Sequence, residues 1–296
     1  MHTRPSNTAF TSSDQKDSMP SAWKHRMALQ FVRTRLLILC KTYPSPSSGY
    51  VETSCIAGMT EAGQLIRLYP VSFRLLDEAA RFRKWQWVEV DIAKATHDHR
   101  PESYRLRADT LQPIDDPVST RNDWADRRFW LDKLTAFQSF EELDQARARD
   151  GVTLGLLKNP QILSLQIKPV REPEWTPEEF AKLSQSQGEL FTDPDRQSLR
   201  MLKKLRHDFH YDYRAGMRPT AATHRHKIAD WEAGALYWRV LQETPDDWER
   251  RFRQKLEQEL PSADLMFLMG TIHRFPDQWL IVSLIYPPHE QNLRLL

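Results

Sequence analysis

The first third of the chain alternates short apolar runs with turn residues. RLLILCKT at 35–42 is apolar at most positions and stops at Tyr43-Pro44, where proline has no amide proton to give a central ladder. SPSSG at 45–49 is loop chemistry. Residues 51–57 and 65–69 read as two strands joined by a glycine-bounded loop at 58–63. WQWVEVDIA at 85–93 alternates apolar and polar, so one face is buried and the other wet. Weaker alternation follows at 103–109, and ILSLQIKPV at 162–170 alternates again and closes the block. Five or six short strands with tight loops predict a small β-barrel or a strongly bent sheet.

The period changes between these strands. Trp124, Trp130, Leu131 and Leu134 are spaced for a helix over 123–134. Ser139-Phe140-Glu141-Glu142 is a capping box that starts a second helix, and Gly151 is placed to stop it. Residues 171–197 carry three basic and seven acidic residues among Pro, Ser and Gln, and read as an acidic linker. Thr176-Pro177-Glu178-Glu179 within it is a further capping box, with Trp175 and Phe180 as a hydrophobic staple.

Beyond 198, FHYDYR at 209–214 alternates like a strand. Asp230 can cap a helix running to about 241. Thr244-Pro245-Asp246-Asp247 starts another, with the stripe Trp248, Phe252, Leu256 and Leu260. Residues 265–270 and 279–285 form a hairpin. The expected fold class is α+β. A polar flexible tail (1–26) precedes a β-rich barrel-like domain with a helical insertion (27–170), the acidic linker (171–197) and a basic, aromatic α+β module (198–296).

Composition narrows the function. The 296 residues hold 42 Lys+Arg against 40 Asp+Glu, a net charge of +2, so the molecule is not a bulk polycation. Nine glycines, with no G-x-G-x-x-G or G-x-x-x-x-G-K spacing, argue against a dinucleotide fold or a P-loop. No cofactor is expected. Two cysteines, Cys40 and Cys55, exclude a disulfide framework and suit reduced thiols in a cytoplasm. No apolar run is long enough to span a bilayer, and no membrane partner is expected. No signal peptide is expected from the polar start.

Counting by segment changes the electrostatic picture. Residues 198–227 carry eight basic and two acidic residues, a local +6, and include Lys203, Lys204, Arg206 and Arg214. Phe209, Tyr211 and Tyr213 are interleaved with them. A second basic cluster (Arg67, Arg74, Arg81, Arg83, Lys84) lies beside Tyr69, Phe73, Phe82, Trp85 and Trp87. Cations screen phosphates and aromatic faces stack on unpaired bases at about 1–3 kcal/mol each, so this interleaving suits a nucleic-acid groove. A solvated basic surface over an ordinary aromatic core has the same composition.

Several constellations could carry chemistry. The segment KTYPSPSSGYVE at 41–52 leaves one strand, turns through prolines and enters the next. Proline stiffens it, so Lys41, Tyr43, Tyr50 and Glu52 could be held around a ligand, with Arg67, Tyr69 and Arg74 on the same edge. Glu52 could contact a flipped base or stabilise a sugar cation, and Asp98 and Glu102, with Arg100 between them, could serve acid–base work in a loop. The bland alternatives are a barrel corner packed by its own tyrosines and a self-paired loop. Glu89-x-Asp91-x-x-Lys94 has two acids on one strand face and the lysine on the other, which is the pattern of a wet strand rather than a nuclease core. The histidines of His207-x-x-His210 and His224-x-His226 have zinc-like spacing but no cysteine near. An all-histidine structural site is rare, so no metal is expected and phosphate or base contact is preferred.

Three blocks carry a family resemblance: KTYPSPSSGYVETSCIAG…LIRLYPVSFR (41–74), HKIADWEAGALY (226–237) and MGTIHRFPDQWLIVSLIYPP (269–288). The chain resembles an uncharacterised bacterial protein family with the pattern KTYPxPSxxYxE…RLYPxxFR, DWExGxLY and GTxHxFPxxWxIVxLxYPP. The resemblance implies no chemistry. It marks Lys41, Tyr43, Tyr50, Glu52, Arg67, Arg74, His226, Asp230, Glu232 and His273 as positions of interest.

The expected function is nucleic-acid binding, DNA ahead of RNA, with an unpaired or modified base recognised in a basic-aromatic groove. A role in phage defence or repair would suit such a protein. The alternative is an enzyme on nucleic acid, a DNA glycosylase or a nuclease. A protein–protein adaptor using the ten tryptophans is a third reading.

Overall fold

A computed structural model describes residues 30–46, 52–71, 73, 76, 78–178, 203–216 and 221–289. Five strands close a barrel: β1 (Val32–Lys41), β3 (Glu52–Met59), β4 (Leu65–Val71), β5 (Trp87–Lys94) and β6 (Ser103–Leu106). The short strands β2 (Ser45–Pro46) and β7 (Gln112–Pro113) lie against β3 and β5. The hydrogen-bonded order is β1-β3-β4-β6-β5, and β5 pairs back onto β1 from Val32↔Ile92 to Leu37↔Trp87. The β4–β6 pair is parallel and the others are antiparallel. Counting the five barrel strands alone, the order is 1-2-3-5-4-1. That is the Greek-key barrel of the OB-fold.

The apolar run of β1 follows from burial on both faces. Leu36 and Ile38 point into the barrel, where they pack with Ile56, Ile66, Leu68, Val88 and Val90. Leu37 and Leu39 point outward into a different cluster with Met59, Leu154, Leu156, Leu268 and Val282. One outer face of the barrel is therefore the inner face of an interdomain core.

The partner surface is a seven-stranded sheet. Its strands are β8 (Ala136–Phe137), β9 (Leu154–Lys158), β10 (Gln161–Pro169), β11 (His207–Arg214), β12 (Thr223–Ile228), β13 (Met266–Ile272) and β14 (Phe275–Ile285), in the order β10-β11-β12-β14-β13-β9-β8. The strand expected at 162–170 forms, but it pairs with β11 in this sheet and takes no part in the barrel. Its alternating pattern fixed the conformation and carried no information about the partner.

The helices follow their caps. The helix α1 (Arg121–Leu131) has left-handed φ at Asn122, Asp123 and Trp124. In α2 (Phe140–Asp150) the Ser139 side chain accepts from the Glu142 amide, and Gly151 ends the helix at φ 74°. In α3 (Trp231–Glu243) Asp230 accepts from the amides of Glu232 and Ala233. The stripe of α4 (Trp248–Arg253) continues through a π-helical segment, Gln254–Glu259, and buries Phe252, Leu256 and Leu260. The expected tail at 1–26 and most of the acidic linker lie outside the described residues, and of the capping box at 176–179 and its staple, Glu179 and Phe180 do.

Candidate functional site

The barrel packs against the second sheet, and a cleft of about 740 Å³ lies at their junction. The barrel side is made by Tyr43, Cys55, Arg67 and Tyr69, and the opposite side by Lys204, Lys227, Thr271 and Arg274. Thr42, Tyr43 and Pro44, which follow the first barrel strand, and Arg100, in the connection between the last two, line the cleft. The cleft therefore lies on the face and between the loops that barrels of this topology use for oligonucleotides or oligosaccharides.

The floor of the cleft is cationic and fixed. Alternation along β4 sends Ile66 and Leu68 into the barrel and leaves Arg67 outside, where it is 1% exposed. Its Nη1 donates to Thr153 Oγ1 at 3.0 Å and to Ser103 Oγ at 3.3 Å, and its Nη2 donates to the Thr153 carbonyl at 2.7 Å. Gly270 stands against it, with an added Cβ 3.4 Å from Nη2. Arg100, also buried, donates from Nη1 to the Thr271 carbonyl at 2.7 Å, and from Nε and Nη2 to Asp98 at 2.9 and 2.6 Å. Arg67 on β4 and Arg100 in the β5–β6 connection thus each bond a backbone carbonyl across the junction, Thr153 just before β9 and Thr271 in β13. Arg67, Arg100, Lys204, Lys227 and Arg274 face the cleft together with a single lining acid, Asp208, which is paired with Lys227 at 2.5 Å.

Two groups in the wall are under-satisfied or perturbed. Thr271 Oγ1 is buried and has no hydrogen-bond partner among the described residues. Burial pushes the Cys55 thiol up, while the neighbouring Arg67 and Arg100 charges pull it down.

Three of the expected catalytic groups, Glu102, Asp98 and Tyr43, are held by structural bonds. Glu102 accepts from the Thr153 amide at 2.9 Å and from the Thr153 hydroxyl at 2.5 Å. Burial raises the Asp98 carboxyl, but the Arg100 hydrogen bonds and charge outweigh it and hold the group well below the usual carboxylate range. Asp98 Oδ1 also lies 3.3 Å from His273 Nδ1. The Tyr43 hydroxyl donates to the Lys203 carbonyl at 2.6 Å and accepts from Trp238 Nε1 at 3.1 Å. Glu52 begins β3 opposite Pro46. Tyr50 and Arg74 lie outside the described residues.

Of the expected binding residues, Arg67, Tyr69, Lys204 and His273 share the cleft with Tyr43. Others do not face it. The aromatic side chains of β11 are its odd-numbered positions. Tyr211 is fully buried against Phe267 and donates to the Leu256 carbonyl at 2.6 Å, so it cannot stack on a base. His226 hydrogen-bonds the Tyr213 hydroxyl at 2.9 Å. Burial, aided by the His224 charge, lowers it to about 4, so it brings no positive charge at pH 7. Lys41 Nζ sits 4.0 Å from the Phe73 ring centre and 5.2 Å from that of Trp231, turned from the cleft. Arg206 pairs with Glu174. Lys203 lies over Trp238. Arg214 is exposed at the end of β11.

The four histidines of 207–226 do not converge either. His207 contacts the Tyr237 hydroxyl, His224 contacts Glu141, and His210 is on the opposite strand face. Among the described residues, the one group of three possible metal ligands is Asp98, His99 and His273, with ligand atoms within 4.8 Å of one another. Both oxygens of that Asp98 are already bonded to Arg100.

Residues 136–296, more than half of the chain, match the model of a domain of unknown function, DUF8757. The chain belongs to the DUF8757 family. Residues 32–133, the barrel and α1, match a second domain of unknown function, DUF8758. No curated protein matches the chain. Among solved structures, a chain of a replication protein A heterotrimer bound to ssDNA aligns at 8% identity and a TM-score of 0.25. The alignment covers 88% of this chain and 66% of that chain. At that score the likeness carries no weight, and the barrel is identified by its strand order alone.

Thr271 and Arg274 line the cleft without having been singled out in the sequence, whereas Lys227 belongs to the basic 198–227 segment. Arg274 had a local cue, its place beside His273 in a hairpin turn. Thr271 reaches the cleft through β13–β14 pairing, which is non-local.

Proposed function

We propose that the cleft binds a single strand of nucleic acid. The observation that supports this best is a cationic lining in a concave site: Lys204 and Arg274 on one wall and Arg67 on the floor, beside Arg100 and Lys227, whose charges are offset by Asp98 and Asp208. The site lies on the barrel face and loops that OB-type folds devote to oligomeric ligands. Positive charge favours a phosphodiester backbone over a neutral saccharide. Tyr69, 36% exposed, supplies an aromatic face, and Trp175 lines the same cleft. Reading a duplex through its major groove needs a protruding helix or ribbon, whereas this site is recessed and takes an unpaired strand. DNA rather than RNA is part of the proposal. The bonds that occupy Asp98, Glu102 and Tyr43 favour binding over cleavage or base excision.

A salt series on labelled single-stranded DNA, single-stranded RNA and duplex DNA tests the reading. Single strands should bind more tightly than duplex, and log K should fall linearly with log salt. Lys204→Glu with Arg274→Glu should lower the slope by about 1.4, at about 0.7 for each lost phosphate contact. Salt-independent affinity, or an unchanged slope in the double variant, would remove the cleft from the binding reaction.

A further inference from the structure

A second pocket adjoins the first. Tyr43 lines the cleft and Trp231 lines this pocket, and the two rings lie 6.0 Å apart. The pocket encloses about 460 Å³, within the range of about 300–1,000 Å³ usual for small-molecule sites. Its walls are aromatic: Trp85, Trp124, Trp231 and Tyr286. Trp85 and Trp124 meet edge to face at 5.7 Å, and Trp124 lies 5.9 Å from Tyr286. Trp85 and Trp124 both have left-handed backbone, at φ 68° and 65°. Bulky residues rarely adopt that conformation, and such strain gathers where a fold holds a site in shape.

Four cations share the pocket with one acid. Lys84 is committed, at 3.1 Å from Glu232 and 3.8 Å from Asp230, and donates to the Leu284 carbonyl at 2.8 Å. Lys84 is thus shared between two carboxylates and offsets one of them, which leaves one to set against the other three cations. The other three cations retain donors. Arg127 lies over the Trp85 and Trp124 rings and gives only Nε to the Val118 carbonyl, so its terminal nitrogens have no acceptor among the described residues. The Arg83 guanidinium is exposed and likewise has none. Lys41 Nζ makes one long contact, 3.4 Å to the Phe82 carbonyl, and otherwise faces aromatic rings. An aromatic wall alone would take any flat apolar molecule, and unpaired cations alone would take any anion. Together they select a flat ring carrying an anionic group.

We propose that this pocket binds a nucleoside phosphate, with the base against Trp124 and Trp231, the phosphate on Lys41, Arg83 and Arg127, and the buried Trp85 backing the wall. The same chemistry is offered by a free mononucleotide and by the 5′ end of a phosphorylated strand. The inference stands apart from the cleft reading, since it uses none of the cleft's cations.

The test is calorimetry on the full chain, followed in parallel by tryptophan emission. The titrants are AMP, adenosine, inorganic phosphate, and a dinucleotide with and without a 5′-phosphate. AMP should quench emission saturably, and adenosine and phosphate should each bind about tenfold more weakly or worse, because each offers half of the recognition. Arg83→Glu, exposed and therefore compatible with folding, should weaken AMP about tenfold by placing like charge at the phosphate. A 5′-phosphorylated dinucleotide binding above AMP identifies a strand end as the source, and AMP at or above the dinucleotide identifies a free nucleotide. Adenosine binding as well as AMP, unchanged affinity in Arg83→Glu, or no saturable quenching by AMP or the phosphorylated dinucleotide each overturns the proposal.

Discussion

At the residue scale, the recurring pattern is polar chemistry drawn into structure. Tyr211, Tyr213 and His226 look like ligand-facing groups beside lysines and arginines, yet they are core groups bonded to one another or to backbone. His226 gives this a pH consequence. In the unfolded chain a histidine takes up its proton near pH 6.5, whereas the folded one waits until about 4. The unfolded state therefore binds more protons between those values. The stability held above pH 6.5 is lost as the pH falls toward 4. By pH 5 the loss from this one group is about 2 kcal/mol. Urea unfolding at pH 7 and pH 5 should show His226→Gln losing about 2 kcal/mol less than the parent protein between the two conditions. An equal loss in both proteins would place the acid sensitivity elsewhere.

At the element scale, the helix α3 shows how one residue couples stability to the cleft. Gly234 lies in the interior of this helix, where alanine is usually favoured by about 1 kcal/mol. Here an added Cβ would sit 2.3 Å from Tyr43 Cδ2 and 2.7 Å from Cε2. The ring cannot easily withdraw, because its hydroxyl is bonded to Lys203 and Trp238. Overpacking of this kind costs about 1–3 kcal/mol, which exceeds the propensity gain. Gly234→Ala should therefore lower the urea midpoint, and weaken single-strand affinity as Tyr43 is displaced in the cleft wall. In a Tyr43→Ala background the same substitution should become stabilising, which a double-mutant cycle would record as a change of sign.

The elements also mark how far the sequence could be read. Local devices were legible: the two-sided apolar run of β1, the β3–β4 hairpin, the Ser139 cap, the Gly151 stop and the Asp230 cap. Each depends on residues within a few positions of one another. Barrel closure by β1–β5 pairing, and the move of β10 to the second sheet, depend on partners far along the chain. The prolines and charges at 41–52 and 95–102 marked these segments as candidate loops, and Thr42, Tyr43, Pro44 and Arg100 from them line the cleft. The error on β11 was avoidable, since a period of two already places Phe209, Tyr211 and Tyr213 on one face and the polar residues on the other.

At the scale of the whole molecule, the boundary between the two family regions does not divide two cores. Leu37, Leu39 and Met59 from the barrel pack in one cluster with Leu154, Leu156, Leu268 and Val282 from the second sheet. Arg67 and Arg100 add buried bonds across the same junction to Thr153 and Thr271. Separating the halves would bare this apolar face, at about 25 cal/mol for each Å² exposed, and would strand two buried guanidiniums without their carbonyl acceptors. Residues 31–134 expressed alone should thus lack a cooperative unfolding transition or aggregate through the bared outer face of β1 and β3. The full chain should lose tryptophan fluorescence and far-ultraviolet ellipticity in one coincident transition. Two resolved transitions in the full chain, or a fragment 31–134 as stable as the barrel within it, would mean that the shared cluster contributes little. The cleft would then be a contact between independent bodies instead of a site built into one.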